Sequence, residues 1–348
     1  MLEITCCMMS NSEFHKFGID GQPEKLDSLE DAVRALKDGG YVWFNYTKVS
    51  REELAELSAP LGLHPLSLED CTDETQVPKM DEFPNYTFIV FNALRYDPEE
   101  LVSDEVDFFI GSNFLVTVSG YAEYTRFPIG GIMPVIERNI SAVKKGPAWL
   151  MHLIIDHMVD NMADVVEQAE IDIDHAEEEI LDSPSDFDPS RLTYLRRNLL
   201  SLRKSLFYER EILIKISRND CEFVPEKATV HFRDIFDHIS NFLEMTESNR
   251  DNVTSLMELY ASMLNNKMAR DSNQTNATVR RLTFITTIFM PLTLLAGIFG
   301  MSEWTVMTGG ENNMRQSYPL FAIVMIAIGL AGYFFIRWLE WRDRKRSG

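Results

Sequence analysis

Two apolar segments near the C-terminal end constrain this chain more than any other feature. Residues 282–302, which contain IFMPLTLLAGIFGMS, carry no charged side chain, and neither do residues 318–336. An α-helix rises 1.5 Å per residue, so each segment reaches about 30 Å, the thickness of a bilayer's hydrocarbon core. Two such runs in succession predict two transmembrane helices, 282–302 and 318–338. Basic residues crowd their outer flanks: Lys267, Arg270, Arg280 and Arg281 before the first, and Arg337, Arg342, Arg344, Lys345 and Arg346 after the second. The loop between them, 303–317, holds only Arg315, beside Glu303 and Glu311. The positive-inside rule then places both termini in the cytoplasm and the loop outside. The expectation is a multi-pass protein of the cell membrane with a basic cytoplasmic tail at 339–348.

The rest of the chain is long enough for a sizeable folded unit. A net charge of −21 argues against nucleic acid as a partner, since phosphate binding needs a basic face, and is compatible with cations. Cys6, Cys7, Cys71 and Cys221 form no CxxC pair, so neither a disulfide framework nor a thiolate zinc site is indicated. The opening stretch MLEITCCMMSNSEFHK lacks the basic region and long apolar core of a secretory signal. No P-loop, GxSxG or HExxH occurs, so an enzyme and an organic cofactor are not expected. Asn45 and Asn85 open glycosylation-like triplets, which a cytoplasmic location would leave unused.

Residues 1–146 read as a cytoplasmic α/β domain. YVWFNY (41–46) and YTFIVFNALRY (86–96) are rich in aromatic and β-branched residues, and DFFIGSNFLVTV (107–118) looks like two strands around a tight turn at Gly111-Ser112. SREELAELSAPLG (50–62) reads as one helix capped by Ser50. Residues 147–224 change character. Val159, Met162, Val166, Ala169, Ile173, Ala176 and Ile180 alternate spacings of three and four, the mark of a coiled-coil seam. Leu192, Leu195, Leu199, Leu202 and Leu206 give an antiparallel partner after a turn at 183–190. The first of these helices carries no Lys or Arg between residues 146 and 190, which makes it either a solvated acidic face or a surface that concentrates cations.

From about Thr229 no Pro or Gly occurs until Pro291, so a long stalk helix, 225–281, should run on as the first span. Within it NNKMARDSNQTNAT (265–278) is polar all round, with Met268 its only large apolar residue. Such a stretch has no face to bury. It is either an exposed linker or the inner wall of an oligomeric, water-filled pore. Continuing upward at spacings of three and four gives Asn276, Val279, Leu282, Thr286, Met290, Thr293 and Gly297. In a ring of helices this stripe would alternate wet and hydrophobic constrictions; in a lone helix the threonines would bond their own backbone.

At this point the residues resemble a known family. IFMPLTLLAGIFGM before an outer loop, YP opening a second span and a basic end are similar to the CorA family of magnesium transport proteins, as are residues 62–94 (GLHPLSLEDCTDETQVPKMDEFPNYTFIVFNAL) and HFRDIFDH (231–238). The resemblance implies an α+β cytoplasmic domain, long coiled-coil stalk helices and two C-terminal transmembrane helices, assembled as a homopentameric funnel. It implies Mg2+, with Co2+ or Ni2+ as further ions, as both cargo and regulatory ligand. The family's selectivity mouth is Gly-Met-Asn; here Gly300 and Met301 match and Ser302 replaces the Asn, offering a shorter hydroxyl to a hydrated ion. Asp70 and Asp234 match the family's regulatory metal site between neighbouring protomers, although alone each would be an ordinary surface carboxylate. His231 and His238 flank Asp234 and would add nitrogen ligands for a softer metal. The match requires about two extra helical turns between Glu258 and Asn276, so no family pore residue is assigned there. Two alternatives stand beside magnesium influx: a Zn2+ or other transition-metal transporter of the same superfamily, and a membrane-tethered divalent-metal sensor or scaffold without transport.

Overall fold

The computed structural model describes residues 11–18, 23–47, 49–72, 76–97, 100–119, 129–300 and 314–344. The chain divides into two compact units, Met1–Tyr260 and Ala261–Gly348.

The first unit is built on seven strands: β1 (Asn11–Phe17), β2 (Pro23–Leu26), β3 (Tyr41–Thr47), β4 (Lys79–Phe83), β5 (Tyr86–Asp97), β6 (Glu100–Gly111) and β7 (Phe114–Ser119). They form one sheet in the order β2-β1-β3-β7-β6-β5-β4, antiparallel except for the β3–β7 pair. Strand side chains alternate between faces. On β3, Val42, Phe44 and Tyr46 enter one core, whereas Tyr41 and Trp43 enter the other. Both faces of the sheet are therefore covered.

Four short helices, α1 (Leu29–Ala35), α2 (Arg51–Ala55), α3 (Ser58–Leu61) and α4 (Pro65–Asp70), belong to the first face, where Ala32, Leu54, Leu57, Leu61 and Leu68 pack with Phe44, Phe88 and Val90. The expected single helix over 50–62 is two. Ser50 does cap the first, in a reciprocal capping box with Glu53. Pro60 has no N–H to give to the carbonyl four residues back, so the chain restarts at Ser58 and ends on Gly62 in the left-handed region, φ 69°. At the turn after β6, a Cβ on Gly111 would stand 2.3 Å from the Phe114 ring, so only glycine fits.

The other face packs against long helices. After a 3-10 turn (Ile129–Ile132), α5 (Met133–Arg138) and α6 (Ile140–Val143) lead into α7 (Pro147–Asp182), α8 (Ser190–Ser217) and α9 (Glu226–Phe299). All seven apolar residues of the expected α7 seam are buried, as are the five leucines of the expected α8 seam, Leu192, Leu195, Leu199, Leu202 and Leu206. Phe232, Ile235, Ile239 and Leu243 extend the same core onto α9.

The second unit contains the rest of α9 and α10 (Met314–Arg344). Both helices are long and apolar enough to cross a membrane, with windows of mean hydropathy 1.6 and 2.3. Their half-buried residues fall on one stripe each: Phe284, Ile288, Leu292 and Leu295 on α9, and Phe321, Met325, Ile328, Gly329 and Gly332 on α10. A Cβ on Gly332 would meet Ile288 Cγ1 at 3.8 Å, an ordinary contact distance, so the two helices pack against each other at this point.

Candidate metal site and pore face

Asp70 ends α4, and the sequence around it fixes that helix tightly. Pro65 occupies its first turn, and His64 caps it by accepting the Leu66 N–H at Nδ1. The His64 N–H donates to the Tyr86 hydroxyl at 2.9 Å, and Ser67 Oγ lies 2.7 Å from the same hydroxyl, tying α4 to β5. The Asp70 carboxylate then meets Lys79 of the edge strand β4, Nζ to Oδ2 2.6 Å. Burial pulls the Lys79 ammonium down, but the Asp70 hydrogen bond and the charges of Asp70, Asp81 and Asp107 outweigh it and raise its pKa. Glu105 lies nearby on β6; burial pushes its carboxyl up, and the charge of Asp70 adds to that.

Asp234 stands on α9, its side chain 75% exposed, with His238 Nε2 3.9 Å from Oδ2. His231 lies one turn earlier, its ring edge-to-face on His152 of α7 with centroids 5.2 Å apart. Burial, reinforced by His231, lowers His152 to about 4. Asp156, one turn further along α7, is raised by burial, then by the charges of Asp160 and Asp234. The structure thus adds His152 and Asp156 to the neighbourhood of Asp234. Asp156 did not stand out in the sequence, being one acid among many on an acid-rich helix. Helical spacing of 152 and 156 was its only trace.

Among the described residues of one chain, no three His, Cys, Asp or Glu side chains gather closely enough to hold a metal ion. Asp70 and Asp234 nevertheless suit a hard cation. Each presents carboxylate oxygens, the donors Mg2+ prefers, and only Oδ2 of Asp70 is engaged by Lys79. The three imidazoles suit a softer ion instead.

On α9 the sequence-predicted stripe Asn276, Val279, Leu282, Thr286, Met290, Thr293 and Gly297 is exposed throughout, on the side away from the Ile288 seam. Met290, Thr293, Leu294, Gly297 and Ile298 together form one open face of α9. Thr286 Oγ1 donates to the Leu282 carbonyl at 3.0 Å and Thr293 Oγ1 to the Phe289 carbonyl at 2.8 Å. Their hydroxyl protons are thus committed to the helix, and the oxygen lone pairs remain to accept from water. Gly300 ends the helix, its N–H bonded to the Ala296 carbonyl. Met301 and Ser302 lie outside the described residues.

A mixed sheet between helical layers, one helix of 74 residues whose last part is apolar, and a second apolar helix packed on it give the chain two helices long and apolar enough to cross a membrane. A family model described as "CorA-like Mg2+ transporter protein" matches residues 38–339, and the chain belongs to that family. It is 32% identical over 343 residues to the cobalt/magnesium transport protein CorA of Thermotoga maritima, covering 95% of this chain and 91% of that one. The fold is also that of the CorA magnesium transporter from Methanocaldococcus jannaschii (TM-score 0.66, 21% identity, 94% and 97% of the two chains). The cytoplasmic domain of ZntB from Vibrio parahaemolyticus shares it as well (TM-score 0.55, 10% identity, 75% and 98%).

Proposed function

We propose that this chain is a divalent-cation channel that admits Mg2+, with Co2+ and Ni2+ as further ions, down the electrochemical gradient. It works as a homopentamer in the cell membrane, with both termini and the α/β unit in the cytoplasm. One observation carries the reading: in a chain of this family, the whole stripe from Asn276 to Gly297 is exposed, and from Thr286 upward it lies on the side of α9 opposite the half-buried seam of Phe284, Ile288, Leu292 and Leu295. Five such stripes facing one axis make a conduit. Its threonines accept hydrogen bonds from the waters of a hydrated ion, so Mg2+ need not shed a shell it gives up reluctantly.

The drive is the membrane potential. At about 2.3 kcal/mol per charge per 100 mV, a divalent ion gains roughly 4.6 kcal/mol, an accumulation on the order of a thousandfold. An influx path of that strength needs a brake. Asp70 of one copy and Asp234 of the next, with Asp156 behind it, repel one another without metal and are bridged by an internal cation, which holds the ring closed. Gly300, Met301 and Ser302 form the outer mouth.

The His152–His231 contact favours one second reading, a channel for Zn2+. Fold alone does not choose between the ions. Mg2+ entry into proteoliposomes, with Zn2+ and Co2+ as competitors and Ser302→Asn beside wild type, does. We expect robust wild-type Mg2+ entry, blocked by Co2+ more than by Zn2+. Entry of Zn2+ with no Mg2+ entry, or Mg2+ entry only in Ser302→Asn, would reassign the ion. Metal-dependent assembly without any flux would make the protein a sensor.

A further inference from the structure

Lys79 sits inside an acidic group. Its Nζ lies 2.6 Å from Asp70 Oδ2 and 3.7 Å from Asp81 Oδ2. In register, Lys79 faces Val90 and Val90 faces Asp107, so Lys79 and Asp107 share the sheet face on which α4 packs. Glu105, two residues before Asp107, is on that face too, and its charge is felt with that of Asp70. The ammonium also stands 5.9 Å from the centroid of the Phe88 ring. One lysine therefore serves four carboxylates. Both partners of the closest pair keep about a third of their surface in water (32% for Lys79, 29% for Asp70), so the pair can open.

A divalent ion and this ammonium cannot both use Asp70 at leisure. Mg2+ sits about 2.0–2.1 Å from a ligating oxygen, or one water further out, and at either distance it repels a lysine 2.6 Å from the same carboxylate. We infer that Lys79 is a tethered competitor for the cation at Asp70: it neutralises the acidic group while no divalent ion is bound, and it sets the ion concentration needed to take its place. The inference rests on Asp70 being a divalent-ion ligand. Lys79 acts through Asp70 and touches no transported ion, so its effect belongs to regulation and not to conduction.

The test is Mg2+ binding to the full chain in detergent by titration calorimetry, which needs no flux. Lys79→Met should lower the dissociation constant of the Asp70-dependent binding on the order of tenfold. Lys79→Arg, which keeps the charge, should bind as wild type does. In an Asp70→Asn background, Lys79→Met should change nothing, since the two act as a pair. Thermal midpoints guard against misfolding: Lys79→Met should be less stable than wild type in EDTA and recover fully with Mg2+. Wild-type binding by Asp70→Asn would overturn the assignment of Asp70 and the inference with it. Binding weakened by Asp70→Asn but not tightened by Lys79→Met would overturn the inference alone.

Discussion

Glu209 is fully buried where α8 meets β5, and both of its hydrogen bonds reach one oxygen: Oε1 accepts from Ser205 Oγ at 3.0 Å and from the Asn92 N–H at 3.3 Å. Oε2 bonds no protein group. Burial raises the carboxyl to about 8, with the two hydrogen bonds holding it back. Unfolded, the same group titrates near its ordinary value of 4.5. Between those values the folded state holds a proton that the unfolded state has lost, so stability falls as pH rises from about 4.5 and the loss is complete above about 8. His152 has the opposite sign, since its folded pKa is depressed: its burden falls below about 6.5 and vanishes above. Between pH 7 and pH 9 the His152 burden is absent, and Glu209 acts together with Glu105 and Cys221, both raised by burial, so the Glu209 share is read from its own variant. The thermal midpoint should drop over that interval, and Glu209→Gln should flatten the drop. An unchanged slope in Glu209→Gln would place the titration elsewhere. None of this was legible in the sequence, where Glu209 is one charge in a helix rich in them. Lys79 was equally silent, because its partner Asp70 lies on another element and only the folding of α4 onto β5 brings them together.

At the scale of elements, periodicity carried the reading where it was long. The seams of α7 and α8 repeat over many turns, and each residue read from the spacing is buried. Strands β3, β5, β6 and β7 were visible as aromatic and β-branched runs. Strands β1 and β2 were not: β2 is an edge strand of 4 residues, and β1 buries His15, which looks polar in the sequence, against Trp43, ring centroids 5.5 Å apart. The break between α2 and α3 turned on the single Pro60. Packing of α8 makes a sharp contrast testable by chemical denaturation. Leu199, 1% exposed, should cost about 2–5 kcal/mol when changed to Ala, while its neighbour Leu200, 48% exposed, should change stability by less than about 0.5 kcal/mol. Equal effects would mean that the seam is misplaced. The stripe on α9 was legible as a spacing of mixed polar and apolar residues. Which side of the helix it occupies was not, because that depends on where α10 packs, with Gly332 beside Ile288.

At the scale of the whole molecule, the proposed function needs more than one chain. A lone stripe is not a pore, and Asp70 and Asp234 form no metal site within one protomer. In the proposed homopentamer five copies would supply both at once, and the same ion would have two roles, as cargo along α9 and as the bridge that limits its own entry. Magnesium entry into proteoliposomes, with internal Mg2+ set at a series of concentrations, tests this most directly, in wild type, Asp70→Ala, Asp234→Ala and the double variant. Wild-type entry should fall as internal Mg2+ rises, and each alanine variant should need more internal Mg2+ to close. Absence of wild-type entry, or inhibition unchanged in both single variants and in the double, would contradict the account.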